Sequence, residues 1–512
     1  MERHARSLLG LGATPAREPE LWLRLGVAQA KLAQGDAQAS LERAVATAVS
    51  SSGARDVASE AVRDAARAQL LALSRREGRS DDTRRLLGKL APSSHDALFE
   101  LASAESNSGD SATAEKSFDQ FIRAYPNDKR VSEARARRVL ALAALKRYEE
   151  LDEAARVLAP NIATLDPALG SSVRFEHAIA LSTLGNTAAG ASALSAISAD
   201  AGAAPWHAHA LLELARRAFE ESHDTEAVRL AVQAEAGLPT APIGERAGLQ
   251  ERIEYLKGAA RFRASARGAV DSTARTDSVA TSNLEPNVEA AIALAAFIKK
   301  FPESALAPSA RLMCGQAFLA ANRAADAIAP LEALVASDPP AELAEPALLA
   351  LSQAHASLGA WKASEDAAIR HIARLPDAPR SAQAKFAIAW PREERGEHAS
   401  AIEAYTPIAN SGDGETAARS QFQIGECLFA LNRYNDAVRE FLKVDMLFTQ
   451  PAWRSAALFE AGRCFVGLGR DDDARRQFDE LLERFPDSTW AAPARRERER
   501  LVAAPAESAL LH

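Results

Sequence analysis

The sequence predicts an all-α fold, a solenoid of about 12 helix-turn-helix repeats, and three observations carry that expectation. The stretch from Phe422 to Pro486 holds two copies of one pattern: Gly425, Tyr434, Ala437 and Phe441, then Gly462, Asp471, Ala474, Phe478 and Pro486. Equivalent residues lie 37 apart, and in both copies the glycine precedes the alanine by 12. The alanine position recurs upstream at Ala290, Ala327, Ser364 and Ala401, at intervals of 37, 37, 37 and 36 up to Ala437. A fixed period of this size means stacked units, none of which can bury its apolar face alone.

Composition narrows the function. A chain of 512 residues exceeds one core, and an array accommodates that length by stacking. With 47% hydrophobic and 25% charged residues it reads as folded. The charge of −8, from 61 basic and 69 acidic residues, lacks the basic excess of a nucleic-acid-binding surface. Arg495, Arg496, Arg498 and Arg500 alternate with Glu497 and Glu499, the pattern of a solvated helix. Cys314, Cys427 and Cys464 have neither the even count nor the spacing of a disulfide framework or zinc site, and are assigned to packing. No apolar run of about 18 residues predicts a membrane span. Leu8 to Leu11 is too short for a secretory h-region, so no signal peptide is read in the chain.

Taken in order, residues 1–18 are expected to form a tail and 19–267 an irregular array. Leu21, Trp22, Leu25, Ala28 and Leu32 recur at helical spacing, Gly35-Asp36 breaks the run, and a second helix follows over Leu41 to Val49. The next pair turns at Gly78. The third runs over Leu98 to Ser106, turns at Gly109-Asp110, continues through Ala114, Phe118 and Phe121, and stops at Tyr125-Pro126-Asn127-Asp128. Proline biases its predecessor out of the helical region, so Pro126, Pro302, Pro376 and Pro486 each end a second helix, and the Asp or Ser that follows is expected to cap the next. Further units turn near Tyr148, at Gly185 and around Ser222 to Asp224, with Ala154, Gly190 and Ala227 as close-packing residues.

Arg252 to Arg263 reads as a helix, and residues 268–287, rich in Ser, Thr, Asp and Ala, as a loop or disordered linker. Residues 288–489 form the regular array. The first helix of its opening unit falls inside the Ser/Thr-rich segment or is supplied by Arg252 to Arg263 across it. Over 490–512 a helix from Trp490 to Ala503 caps the array, followed by a tail.

In the regular array Gly315, Ser352, Ala389, Gly425 and Gly462 each precede by 12 the small residue of the second helix. That distance sets the two small sites opposite each other, so the helix backbones approach. Leu331, Tyr405, Phe441 and Phe478, four residues further on, fill the adjacent space, with Ala368 the exception.

The order Gly425, Asn432, Tyr434, Ala437, Phe441 and a closing Pro resembles the tetratricopeptide repeat, well over Val288 to Arg500 and loosely over Leu21 to Gly237. The 37-residue period with its Phe-Pro-Asp-Ser stop looks like the variant common in bacterial cell-envelope proteins, such as those of the Tol-Pal cell-division system and the outer-membrane assembly lipoprotein. The early Trp of the pattern is replaced by Arg311, Leu348, Lys385, Gln421 and Leu458. The resemblance implies a right-handed superhelix with the first helices on its concave face. Positions three before and one after the small residue should then face the groove: Leu312 and Gln316, Leu349 and Gln353, Phe386 and Trp390, Phe422 and Glu426, Phe459 and Arg463. Phe386, Trp390, Phe422, Phe429 and Phe459 are candidates for an aromatic binding strip flanked by Arg419, Glu426 and Arg463, with ordinary packing between helices as the alternative. Pro391 is expected to kink its helix and display Trp390. The Lys and Asn clamp that some relatives use for a C-terminal carboxylate is not carried here.

Chemistry is sparse. His207 and His209 project about 200° apart on a helix, no His-Glu-x-x-His exists, and Gly88-Lys89 is followed by Leu90 rather than by the Ser or Thr of a phosphate loop. His355, His371 and His398 are read as surface or satisfied interhelical residues. The expectation is a non-catalytic scaffold, without cofactor or metal, that holds a protein or peptide on its concave face. By resemblance it works in the periplasm or cell envelope, with the cytoplasm as the alternative. A self-assembling structural component and a small-ligand sensor with a pocket beside Trp390 are the competing classes.

Overall fold

The computed structural model describes residues 1–14, 17–50, 57–77, 80–91, 94–272, 284–376, 378–412 and 414–509. Among these the chain is all-α, with 26 α-helices and no strand. Twelve helix pairs run from Glu18–Lys31 to Asp471–Arg484, preceded by helix Glu2–Gly10 and followed by helix Ala491–Ala509, so the solenoid read from the period is the fold. The chain divides into two compact units, Met1–Leu214 with Gln233–Leu249, and Ala215–Val232 with Gln250–His512. In the first, successive helices pack on one another from Glu18–Lys31 to Thr187–Ala199; in the second they do so from Ala307–Ala320 to Ala491–Ala509.

Each pair whose turn lies among the described residues turns on one left-handed residue. From Ala307 onward these are Asn322, Gly359, Gly396, Asn432 and Gly469, at intervals of 37, 37, 36 and 37. The amide three residues after the end of the first helix closes back on it, as in Arg433 N to Leu428 O at 2.9 Å and Arg470 N to Phe465 O at 2.9 Å, which satisfies terminal carbonyls. Glycine and asparagine suit this conformation. In the first unit Lys146 takes it at φ 57°. Counting five residues on from Lys146 gives the fully buried Leu151, opposite Val139, as the close-packed residue of that unit. The sequence points instead to Ala154, which is only half-buried, because a lysine in the turn hides the register.

The closest approaches are built on glycine. A Cβ on Gly425 would lie 2.6 Å from the Phe441 ring, one on Gly462 2.4 Å from Phe478, and one on Gly315 2.4 Å from Leu331. The units without glycine compensate. Ala389 faces Tyr405, while Ser352 stands where glycine is usual, and its hydroxyl donates to the Ser364 carbonyl at 2.9 Å and pairs with the Ser364 hydroxyl at 3.0 Å. The larger serine pair leaves less room beside it, which accounts for Ala368 in place of a bulky residue.

The proline stops behave as expected, with helix ends at Tyr125, Leu375 and Phe485. The residues after them do another job: Asp128 Oδ1 takes the Arg130 amide at 2.8 Å and Ser304 Oγ the Leu306 amide at 3.0 Å, so they hold the turn and leave the next helix without a side-chain cap.

Several stretches differ from expectation, among them residues 504–509, which continue the last helix where a tail was expected. Residues 2–10 of the supposed tail are helical, with Ala5 buried. The supposed loop beginning at Gly268 is still helix as far as Ser272, and helix Leu284–Lys300 begins inside its far end; residues 273–283 and the Gly78 turn lie outside the described residues. Helix Arg246–Ser272 supplies the missing first helix of the opening regular unit. Gly258 meets Leu294, Tyr255 stacks against Phe297 at 5.6 Å, and Lys300 pairs with Glu254 at 2.7 Å.

An ionic clamp recurs between pairs. Glu365, next to Ser364 and buried, accepts from Arg392 and Arg395 of the following pair, both at 2.8 Å. Glu115, next to Ala114 and equally buried, accepts from Arg138 at 2.8 Å and Arg147 at 3.4 Å in the other unit.

Candidate protein-binding face

Three successive first helices, Ser381–Glu394, Glu415–Ala430 and Pro451–Gly467, carry all eight candidate residues. Of the positions one after the small residue, Gln316, Trp390 and Glu426 are half-buried, and Gln353 and Arg463 exposed. Positions three before it belong mostly to the core. Phe386, Phe422 and Phe459 are 7–8% exposed. Each packs on the bulky residue of its own second helix, Tyr405, Phe441 and Phe478, at ring separations of 5.2, 5.3 and 5.8 Å. Each is then covered from the next unit, Phe386 by the Arg419 guanidinium at 4.3 Å, Phe422 by Trp453 at 5.5 Å and Phe459 by Trp490 at 5.0 Å. These three rings hold the units together, so the proposed strip is not continuous and the packing alternative describes them.

Two aromatic residues of the strip stay accessible. Trp390 meets Trp361 edge-on at 5.6 Å and donates to Glu394 at 2.9 Å. Phe429 lies against Tyr434 at 5.2 Å and under the Arg463 guanidinium at 5.0 Å. The helix passes through Pro391, buried in its last turn, to Glu394 without a break. Pro330 and Pro407 also sit inside helices, so proline here does not single out Trp390. Each such proline forgoes its amide bond to the preceding turn and crowds the carbonyl four residues back, and each helix runs on past it.

What the sequence reading missed is a carboxyl cluster on the same face. Glu393 accepts from the buried Tyr405 hydroxyl at 2.8 Å and from Gln423 at 3.0 Å. Glu460, 4% exposed, accepts from Arg463 at 2.7 Å. Between them Glu426 Oε1 is buried with no hydrogen-bond partner among the described residues. Burial raises all three carboxyls above the usual range, against the Tyr405 and Gln423 bonds at Glu393 and the Arg463 bond at Glu460. Glu426 is pushed up to about 7 by burial and by the charges of Glu460 and Glu393, which outweigh Arg463. The signal was available: Gln423 and Glu460 stand two before the repeat glycine, a position three from the accessible one and on the same helix face.

The rest of the candidate chemistry is quiet. All three cysteines are free and buried, and burial pushes the Cys464 thiol up to about 12, which leaves no reactive thiolate. His207 bonds the Asp200 carbonyl at 2.8 Å and His209 the Glu245 carboxylate at 2.5 Å, so they serve separate partners. Among the described residues no group of three His, Cys, Asp or Glu side chains is placed to hold a metal ion, and no helix is long and apolar enough to cross a membrane.

Comparison with known proteins identifies the repeat. Residues 96–128 and 456–488 match one family model of the tetratricopeptide repeat and residues 287–342 another. These segments fall on helix pairs in both halves of the chain, including the half where the sequence pattern is loose. Among solved structures the chain is similar to a tetratricopeptide repeat protein from Parabacteroides merdae ATCC 43184, with 11% identity over 58% of this chain and 98% of that one and a TM-score of 0.36. It is also similar to YrrB, described as a TPR protein with an unusual peptide-binding site, with 16% identity over 40% of this chain and 99% of that one and a TM-score of 0.30. No curated protein matches.

Proposed function

We propose that the chain is a non-catalytic protein-binding scaffold whose face from Trp390 to Arg463 holds a partner segment bearing a basic side chain. Tetratricopeptide arrays generally mediate protein–protein interaction, which supports the class. The observation that supports the specificity is the unpartnered Glu426 carboxyl set between Glu393 and Glu460 on adjacent helices. A lysine or arginine of the partner would lower the cost of the buried charge and supply the missing donor, while Trp390 and Phe429 cover its apolar stem. The 37-residue period and the Phe-Pro-Asp-Ser stop support a bacterial cell-envelope setting as part of the same proposal, and fractionation of the tagged protein in its native host tests it.

Selection of a displayed random peptide library on the full chain tests the specificity. Bound peptides should be enriched in Lys or Arg, and the enrichment should disappear on Glu426→Gln. Selected peptides without basic bias would refute the proposed ligand while leaving the scaffold reading to the binding itself.

A further inference from the structure

His371 breaks a rule that the array otherwise keeps. Seven residues after the small residue of the second helix, the other units place Leu334, Ile408, Val444 and Leu481, each no more than 1% exposed. Helix Trp361–Arg374 places His371 there, 0% exposed, with neither ring nitrogen bonded to a partner among the described residues. It is therefore neither a surface nor a satisfied interhelical histidine. The charges around it cannot replace a bond. Glu345, on the preceding helix, already accepts the Arg380 amide at 2.9 Å, and Arg380 itself, at the entry to the following helix, repels an imidazolium. Lys385 on that following helix and Arg370 on its own are exposed and of the same sign, while Arg374 is tied to Asp338 at 2.7 Å.

We propose that His371 makes the seam between the pair Ala341–Arg374 and the helix after it an acid-labile joint: the neutral ring packs there as a hydrocarbon, and the imidazolium forces the second helix to loosen. Burial is the main cause holding the imidazole below its usual value of 6.5, with Arg380 adding to it and Glu345 opposing. Because the folded state disfavours the proton, the contribution is present above about pH 6.5 and is lost as the pH falls through that value toward the lower folded one.

Hydrogen–deuterium exchange of the full chain at pH 7.5 and 5.5, corrected for intrinsic rates, reads this directly. Protection of Trp361–Arg374 should fall several-fold, with about tenfold per pH unit as the limit for one proton, relative to Asp471–Arg484, where Leu481 holds the equivalent place. His371→Leu should abolish the difference, as should His371→Met if the leucine variant fails to fold. An equal acid response in a folded variant, or no response in the native chain, would overturn the proposal.

Discussion

Gly462 sets how near two helix axes come, because the Phe478 ring occupies the space a side chain would need. Gly462→Ala should therefore cost about 1–3 kcal/mol, the range for overpacking a filled core, read from urea melts. Glu426 acts in the opposite sense to a packing residue. Its carboxyl titrates near 7 in the fold against about 4.5 when unfolded, so its contribution to stability is fully present below pH 4.5 and is lost as the pH rises through about 7. Glu426→Gln should raise stability at pH 8 by about 1–2 kcal/mol after solvent screening and by almost nothing at pH 4.5, in thermal melts at the two values. A residue kept at such a cost fits a role in binding. The sequence marked Glu426 by its place one after the repeat glycine. It did not show that Phe386, Phe422 and Phe459 are covered, since covering needs Arg419, Trp453 and Trp490 from the next unit, and no local spacing reports which side of a helix the neighbour closes.

At the scale of helices, the 12-residue spacing and the proline stops were legible because one unit determines them. Contacts between pairs were not. The Glu365 clamp ties two arginines that lie 27 and 30 residues on, and nothing in the repeat pattern marks it, since its counterpart Glu115 stands in a different unit. Glu365→Ala should cost about 2 kcal/mol by removing charge-assisted bonds to both guanidinium groups. Glu397, bonded to Arg395 but exposed, should cost well under half as much on the same substitution, and the two melts compared side by side check the ranking.

At the scale of the molecule, the opening unit of the regular array is assembled across residues 273–283. The sequence left two sources for its first helix open, because a helix and its partner separated by a long insertion carry no common period. The contacts of Gly258, Tyr255 and Glu254 with helix Leu284–Lys300 choose between them. A fragment starting at Arg246 should thus fold with a cooperative melt. One starting at Val288 strips the cover from the fully buried Leu294 and Phe297 and should be less stable by about 3–6 kcal/mol, measured by circular dichroism.

The central claim is that the carboxyl cluster around Glu426, rather than the aromatic side chains, selects the partner. Calorimetric titration of a selected basic peptide into the full chain at pH 8 tests it most directly, alongside Glu426→Gln and Phe422→Leu. The account predicts at least a tenfold loss of affinity for Glu426→Gln, a similar weakening of the native protein as the pH falls below about 7 and the carboxylate is protonated, and little change for the buried Phe422→Leu. Affinity unchanged by Glu426→Gln and by pH would contradict it.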